Sequence, residues 1–185
     1  SLKRIGLPES LRDIGSSAFS GCTSLSDVVL PSSLSLIQDY AFKDCVSLKK
    51  INLPAGVNES TSFNSPFYNT GLTEITFGQG IMKIPAYIFA SCGSLETIEI
   101  PDSVTRIGNN AFYGCSKLTG IELPPEVETV GSDAFYGTAI TGITIPKSMC
   151  SYTQVNPPFR GTELRKVSIE DGAEMIPQKL FAGCS

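Results

Sequence analysis

The chain has 185 residues, of which 41% are hydrophobic and 17% charged, a composition that can bury a core and differs from that of disordered proteins. Its net charge of −4 at pH 7 argues against binding to nucleic acid or to an anionic membrane surface, because both favour clustered Lys and Arg. The sequence has no His, which excludes Ser-His-Asp and Cys-His catalysis and histidine metal sites.

A short phrase, A-F-x-x-C, recurs with variations along the whole chain, first at Ala18–Cys22. Its Phe returns every 22 to 25 residues, at Phe19, Phe42, Phe67, Phe89, Phe112, Phe135, Phe159 and Phe181. Self-similarity at such a period indicates stacked units that share one core. The sequence therefore predicts about eight repeats of about 23 residues in a single solenoid domain over residues 1–185.

Each Phe except the last is followed by the apolar pattern L-x-x-I-x-L, which Pro usually closes. One copy reads Leu48, Ile51, Leu53 and Pro54. Alternation with period two and β-branched residues predicts a very short strand. Pro ends this strand because it cannot donate a hydrogen bond to a ladder.

A second apolar set follows each strand at a constant spacing, and after it a small residue and the Phe close the turn. The set comprises Leu11 and Ile14, Leu34 and Ile37, Ile81 and Ile84, Val104 and Ile107, and Val127 and Val130. One unit has too little apolar surface to fold alone, so we expect these side chains to line up into continuous columns when the units stack.

Five of the six cysteines stand three residues after a repeated Phe. Equivalent positions in neighbouring coils are about 4.8 Å apart, so Cys22 could form a disulfide with Cys45, and Cys92 with Cys115. The alternative is a column of reduced thiols packed as small hydrophobic residues. We favour the thiols, because Thr70, Thr138 and Thr162 take the Cys position in three copies.

The composite repeat LPxSLxxIGxxAFxGCxSLxxVxLP resembles the BspA-like leucine-rich repeat family, found in bacterial surface proteins and in some parasitic protists. The resemblance covers essentially the whole chain. It implies an α/β repeat protein of mostly short β-strands and turns, a right-handed leucine-rich repeat solenoid with a parallel sheet on one face. Turns or short helical segments would form the other face. The first and last residues fit partial repeats, so we expect a longer array.

Residues from about 44 to 93 resemble residues 136–185, which indicates a tandem duplication with a unit of four repeats. Within it, the irregular segments GVNESTSFNSPF and SMCSYTQVNPPF replace the usual sequence. We expect them to form similar bulges on the turn side. Tyr68, Tyr113 and Tyr136, which each follow a repeated Phe, are expected to form a partly exposed aromatic column there.

On each predicted strand, the residues on either side of the central apolar one point away from the core. They form a mixed strip of acidic, basic and small side chains, which either binds a partner, as solenoid faces can, or is simply solvated. The predicted protein-binding residues of this strip are Asp27, Val29, Lys50, Asn52, Glu74, Thr76, Thr97, Glu99, Glu122, Thr144, Lys166 and Ser168.

The resemblance implies a non-enzymatic, protein-binding module of a bacterial cell-surface or secreted protein, which adheres to host or microbial proteins such as extracellular-matrix or plasma proteins. One alternative is a structural stalk or spacer in a larger surface protein. Another is a targeting or carbohydrate-binding arm of an enzyme, which the missing His and Trp disfavour. We expect no cofactor, no metal, no nucleic acid and no membrane insertion in this segment; the sequence leaves the oligomeric state open.

Overall fold

The computed structural model describes residues 1–58, 63–151 and 157–184. In these ranges the chain forms a parallel-strand β-solenoid of about seven turns with about 23 residues per turn, which confirms the predicted fold. A 3₁₀ helix spans Lys147–Ser151. In chain order the strands are β1 (Arg4–Ile5), β2 (Asp13–Ile14), β3 (Asp27–Val28), β4 (Leu36–Ile37), β5 (Lys50–Leu53), β6 (Glu74–Phe77), β7 (Lys83–Ile84), β8 (Thr97–Ile98), β9 (Arg106–Ile107), β10 (Gly120–Ile121), β11 (Thr129–Val130), β12 (Gly142–Ile145) and β13 (Lys166–Ile169).

The first parallel ladder is the one that the L-x-x-I-x-L pattern predicts. It contains the hydrogen-bonded pairs β1–β3, β5–β6, β8–β10 and β12–β13. The register places Ile51 opposite Ile75 and Ile98 opposite Ile121, and all four side chains are buried. The central apolar residue of each strand therefore packs on its equivalent in the next coil.

A second ladder of two-residue strands was not expected from the sequence, which predicted turns or short helical segments away from the first sheet. It contains the pair β2–β4 and the triplet β7–β9–β11. Ile84 lies opposite Ile107, and Val130 continues the same column; all three are buried. The second apolar set thus forms strands too short to show an alternating pattern in the sequence.

The repeated Phe side chains form one continuous column between the two ladders and the turns. Each ring stacks on the ring of the next coil, with centroids 5.1–6.0 Å apart and planes inclined by 6–22°. The six rings from Phe42 to Phe159 are fully buried. Offset stacking at such distances is a favourable arrangement for aromatic rings, and it fixes the spacing of the coils.

The turns around each Phe are joined to the next coil by backbone hydrogen bonds. In one coil, the Phe112 amide donates to the Ala134 carbonyl at 2.8 Å and the Gly114 amide donates to the Tyr136 carbonyl at 2.7 Å. The same pattern joins Phe19 to Ala41 at 2.7 Å. Backbone groups that would otherwise be buried without partners are therefore satisfied on the turn side as well as in the two ladders.

The residue two positions after each repeated Phe has a left-handed backbone conformation. Its φ lies between 53° and 76° in all eight copies, namely Gly21, Asp44, Asn69, Ser91, Gly114, Gly137, Gly161 and Gly183. Gly adopts this conformation without strain, and Asp and Asn tolerate it better than most residues. This requirement explains why Gly so often precedes the Cys of the repeated phrase.

The strand pattern repeats after four coils, in agreement with the duplication predicted from the sequence. The pairs β5–β6 and β12–β13 consist of four-residue strands, whereas β1–β3 and β8–β10 consist of two-residue strands. The two predicted irregular segments lie partly outside the described residues, at 59–62 and 152–156. The four-coil unit is therefore a property of the folded sheet as well as of the sequence.

Replacing Gly114 by Ala tests the left-handed turn. An added Cβ would lie 3.4 Å from Ser91 Oγ, an ordinary contact, so the cost comes from the backbone, whose φ is +69°. We expect Gly114→Ala to lower the free energy of unfolding by about 1 kcal/mol, measured by urea denaturation. Gly93→Ala is the matched control, because Gly93 has no such φ and its added Cβ would lie 3.6 Å from Ser116 Oγ. Equal losses in the two variants would contradict this account.

Candidate binding surface

The predicted strip of outward-facing residues lies on one face of the first ladder. Eleven of its twelve members are exposed, and Asp27 is half-buried. Val29 has 71% of its surface exposed. Strand alternation places these side chains opposite the buried Ile and Val residues. The structure therefore assembles the strip as one surface, and its role in binding stays a prediction.

Ion pairs and a hydrogen bond occupy part of this face near the N-terminal end. Arg4 pairs with Asp27 at 2.7 Å between Nη2 and Oδ2, and Lys50 pairs with Glu74 on the next strand. Such exposed pairs contribute only about 0–1 kcal/mol to stability, but they neutralise the charges involved. The predicted strip does not include Arg4, although its place directly before Ile5 is equivalent to that of Asp27 before Val28.

A hydrogen bond also links the strip across the strands that carry Lys50 and Glu74. Thr76 Oγ1 donates to Asn52 Oδ1 at 3.1 Å, next to the ion pair between Lys50 and Glu74. The register of β5 and β6 explains both contacts, because it places Lys50 opposite Glu74 and Asn52 opposite Thr76. On these two strands the polar side chains therefore already have partners.

A concavity of about 880 Å³ lies over the middle of the face. It extends across β6, β8 and β10 to the first residue of β12 and includes the Pro-containing turns that follow β8 and β10. Gly120 and Gly142 lack side chains on this face, and a Cβ added to Gly120 would meet no atom within 4 Å. The missing side chains help to leave this space open.

The concavity is lined by acidic but not basic side chains among the described residues. Glu99, Glu122 and Asp102 supply the carboxylates. Because Ile98 lies opposite Ile121, the two glutamates occupy equivalent places on neighbouring strands, about 4.8 Å apart along the sheet. No ion pair within the described ranges involves any of the three acidic residues. This part of the face is therefore net negative.

Aromatic residues on the turn side form separate pairs rather than one column. Tyr113 stacks on Tyr136 with centroids 4.9 Å apart, whereas Tyr68 packs edge-on against Tyr40 at 5.9 Å. Ala90 occupies the equivalent position in the coil between Tyr68 and Tyr113. The predicted Tyr column is thus present for two of its three members and interrupted at the third.

Arg160 continues the stack of Tyr113 and Tyr136. Its guanidinium lies over the Tyr136 ring, 5.3 Å from the centroid. Nε and Nη2 also donate to the two carboxylate oxygens of Asp133 at 2.9 and 3.0 Å. These hydrogen bonds raise the pKa of Arg160 above its usual value. Asp133 and Tyr136 therefore hold Arg160 in place, and it is poorly available to a ligand.

The repeated cysteines are free thiols that point into the core. Cys45 Sγ donates to the Phe19 carbonyl at 3.2 Å, and Cys115 Sγ donates to the Phe89 carbonyl at 3.2 Å. In the Thr copies, the hydroxyl bonds within its own coil, as from Thr138 Oγ1 to the Phe135 carbonyl at 2.8 Å. Either residue type therefore donates a hydrogen bond to the backbone carbonyl of a repeated Phe.

Neither a metal site nor a membrane-spanning helix is found in the described part of the chain. No group of three or more Cys, Asp or Glu side chains within it is placed to hold a metal ion. No helix among residues 1–58, 63–151 and 157–184 is long and apolar enough to cross a membrane.

Because the Cys side chains are buried, we expect the protein to lose stability at alkaline pH. Burial raises the pKa of Cys92 from 9.0 to about 12 and that of Cys45 from 9.0 to about 11. The stability contributed by the neutral thiols is present below pH 9 and is lost as the pH rises towards 11 and 12, because unfolding then releases their protons. At about pH 10 we expect a loss of about 1 kcal/mol per thiol, measured by urea denaturation.

The control for this pH dependence is the double variant Cys45→Ala/Cys92→Ala, compared with the parent at about pH 8 and about pH 10. The variant starts from a lower stability but should lose less of it on alkalinisation, since all its other side chains are those of the parent. An equal loss in parent and variant would show that these thiols do not couple to unfolding.

The chain matches the family model described as "BspA type Leucine rich repeat region (6 copies)" over residues 1–65 and 63–156. No curated protein sequence matches it significantly. These matched ranges cover most of the chain and include the concavity, the second ladder, the first ladder up to β12 and the repeated Phe residues from Phe19 to Phe135.

Three solved structures share the fold. A leucine-rich repeat protein from Bacteroides ovatus ATCC 8483 aligns with 99% of this chain at a TM-score of 0.68 and 23% identity, and the chain covers 58% of its length. The T. pallidum leucine-rich repeat protein aligns with 90% of this chain at a TM-score of 0.55 and 26% identity, and the chain covers 70% of its length. The pneumococcal vaccine antigen PcpA aligns with 96% of this chain at a TM-score of 0.53 and 21% identity, and the chain covers 61% of its length.

Proposed function

Because the chain belongs to the BspA-type leucine-rich repeat family, we propose that it is a non-enzymatic protein-binding module of a bacterial cell-surface or secreted protein. Its ligand is a host or microbial protein, with extracellular-matrix and plasma proteins as the first candidates. The observation that carries the proposal is the open concavity of about 880 Å³ on the outward face of the first ladder.

The geometry of the sheet face supports a binding role. The buried Ile and Val residues of the first ladder fix the backbone, and the exposed residues can vary without disturbing the core. A preorganised surface loses little conformational entropy when it binds. Stacked repeats commonly provide extended surfaces of this kind for partner proteins.

A surface location is supported by one of the related structures. PcpA, which shares the fold, is described as a pneumococcal vaccine antigen. On this basis we propose a location on the bacterial surface for the protein that contains this chain.

A stalk or spacer is the second candidate function. The observation that favours it is the pairing of Arg4 with Asp27 and of Lys50 with Glu74, which leaves these charges little capacity for a ligand. A spacer needs only the continuous Phe column and the ladders for rigidity. The two candidates make different predictions about saturable binding.

Blocking the concavity with a neutral side chain tests the proposed function. Gly120→Gln inserts an uncharged side chain where an added Cβ meets no atom within 4 Å, so the fold should persist. The purified chain would be screened by surface plasmon resonance against matrix, plasma and microbial surface proteins. We expect a saturable partner whose affinity falls at least about tenfold in Gly120→Gln, since an obstructed centre removes the best-packed contacts.

The matched control is Ser20→Gln, on the turn side at the position that Arg160 occupies in another coil. It adds a similar side chain to an exposed site and should leave the affinity unchanged. Absence of saturable binding at concentrations up to about 100 μM would favour the spacer. If Ser20→Gln weakened binding of the partner and Gly120→Gln did not, the binding site would lie on the turn side.

A further inference from the structure

The acidic lining of the concavity contrasts with the rest of the sheet face. Over β1, β3, β5 and β6, acidic side chains are paired with Arg4 and Lys50. Over β8 and β10, Glu99 and Glu122 lie side by side with no ion pair in the described chain. Like charges at neighbouring positions of a sheet are destabilising. The fold therefore gains nothing from this arrangement.

The duplicated unit gives an internal comparison for these two glutamates. Four coils earlier, Gly6 and Val29 occupy the places of Glu99 and Glu122, as the strand pairs β1–β3 and β8–β10 show. The buried residues beside them are apolar in both units. The solenoid thus accommodates uncharged residues at both positions, and the acidic pair is specific to the concavity.

The chemistry of the concavity fits a basic side chain better than a metal ion. The carboxylates of Glu99, Glu122 and Asp102 do not form a group that could hold a metal. Pro101 and Pro125, which line the same space and are not buried, offer apolar surface to the aliphatic stem of Lys or Arg. A guanidinium or ammonium group that lies along these residues can then reach the carboxylates and form charge-assisted hydrogen bonds.

We propose that the concavity binds an extended segment of a partner protein that presents at least two Arg or Lys side chains to Glu99 and Glu122. The proposal rests on the proposed protein-binding function and names the chemistry of its ligand. Lys166, exposed on the strand next to Gly142, repels a further basic residue on that side. The basic pair of the partner therefore lies over β8 and β10.

Two synthetic peptides test this chemistry directly. One is a terminally blocked Gly-Ser-Arg-Thr-Arg-Ser-Gly, whose Arg side chains lie on one side when the peptide is extended. The other has Glu in place of both Arg residues. Isothermal titration calorimetry should detect binding of the Arg peptide at low salt, and the affinity should fall severalfold between about 50 and about 500 mM NaCl because screening increases. The Glu peptide should not bind.

The variant Glu99→Gln/Glu122→Gln should weaken binding of the Arg peptide at least about tenfold. Glu126→Gln/Glu128→Gln is the matched control, because it removes the same charge from a turn residue and from the residue before β11, both outside the lining of the concavity. Its effect should remain within about twofold, as expected for carboxylates that interact with the peptide only through screened solvent. Equal losses in both double variants would overturn the proposal, and so would equal affinities of the Arg and Glu peptides or no binding of the Arg peptide at about 1 mM.

The same variants separate the proposal from the proposed function. A protein partner that is weakened by Gly120→Gln but not by Glu99→Gln/Glu122→Gln would retain the binding function and overturn the basic-segment chemistry. A partner weakened by both would support the two together. A partner unaffected by both would retain the protein-binding function but place its site elsewhere, which would overturn the basic-segment proposal.

Discussion

The turn around the repeated Phe is the constraint on which the rest of the solenoid depends. Its ring stacks on the next coil at 5.1–6.0 Å, while its amide donates to a carbonyl of that coil, as from Phe112 to Ala134. The left-handed residue two positions later turns the chain and donates a second hydrogen bond, as from Gly114 to Tyr136. The phrase is repeated because most coils are joined to the next by these contacts; Phe67 is an exception, since its amide donates to Ser65 Oγ within its own coil.

The Phe turns and the ladders hold the coils together without help from the outward side chains. This explains why the outward face of the first ladder differs between the duplicated units while its buried face does not. The buried side stays apolar in both units, whereas the outward side has an Arg4–Asp27 ion pair in one unit and the Glu99–Glu122 pair in the other. Because coil spacing is set by the Phe column and the ladders, outward residues can change with little cost. A rigid array can thus carry a local binding site in a single part of its surface.

The sequence was sufficient to predict the first ladder, the outward strip and the buried column, because each follows from periodicity. It could not predict the second ladder, since two-residue strands leave no alternation to recognise. The left-handed turns were hidden where Asp44, Asn69 and Ser91 replace Gly, because these residues also occur in ordinary turns. The concavity forms because Gly120 and Gly142 have no side chains and because several strands lie next to one another. The sequence of a single repeat shows neither the neighbours nor the space between them.

Hydrogen exchange of individual amides, followed by NMR, tests most directly whether the Phe turns hold the coils together. If they do, the amides of Phe112 and Gly114, which donate to the next coil on the turn side, are protected as strongly as the Thr119 amide, which donates to the Glu96 carbonyl beside the first ladder, because all three exchange only when coils separate. Fast exchange at Phe112 and Gly114 with slow exchange at Thr119 would contradict this, and would show that the ladder alone holds the coils together.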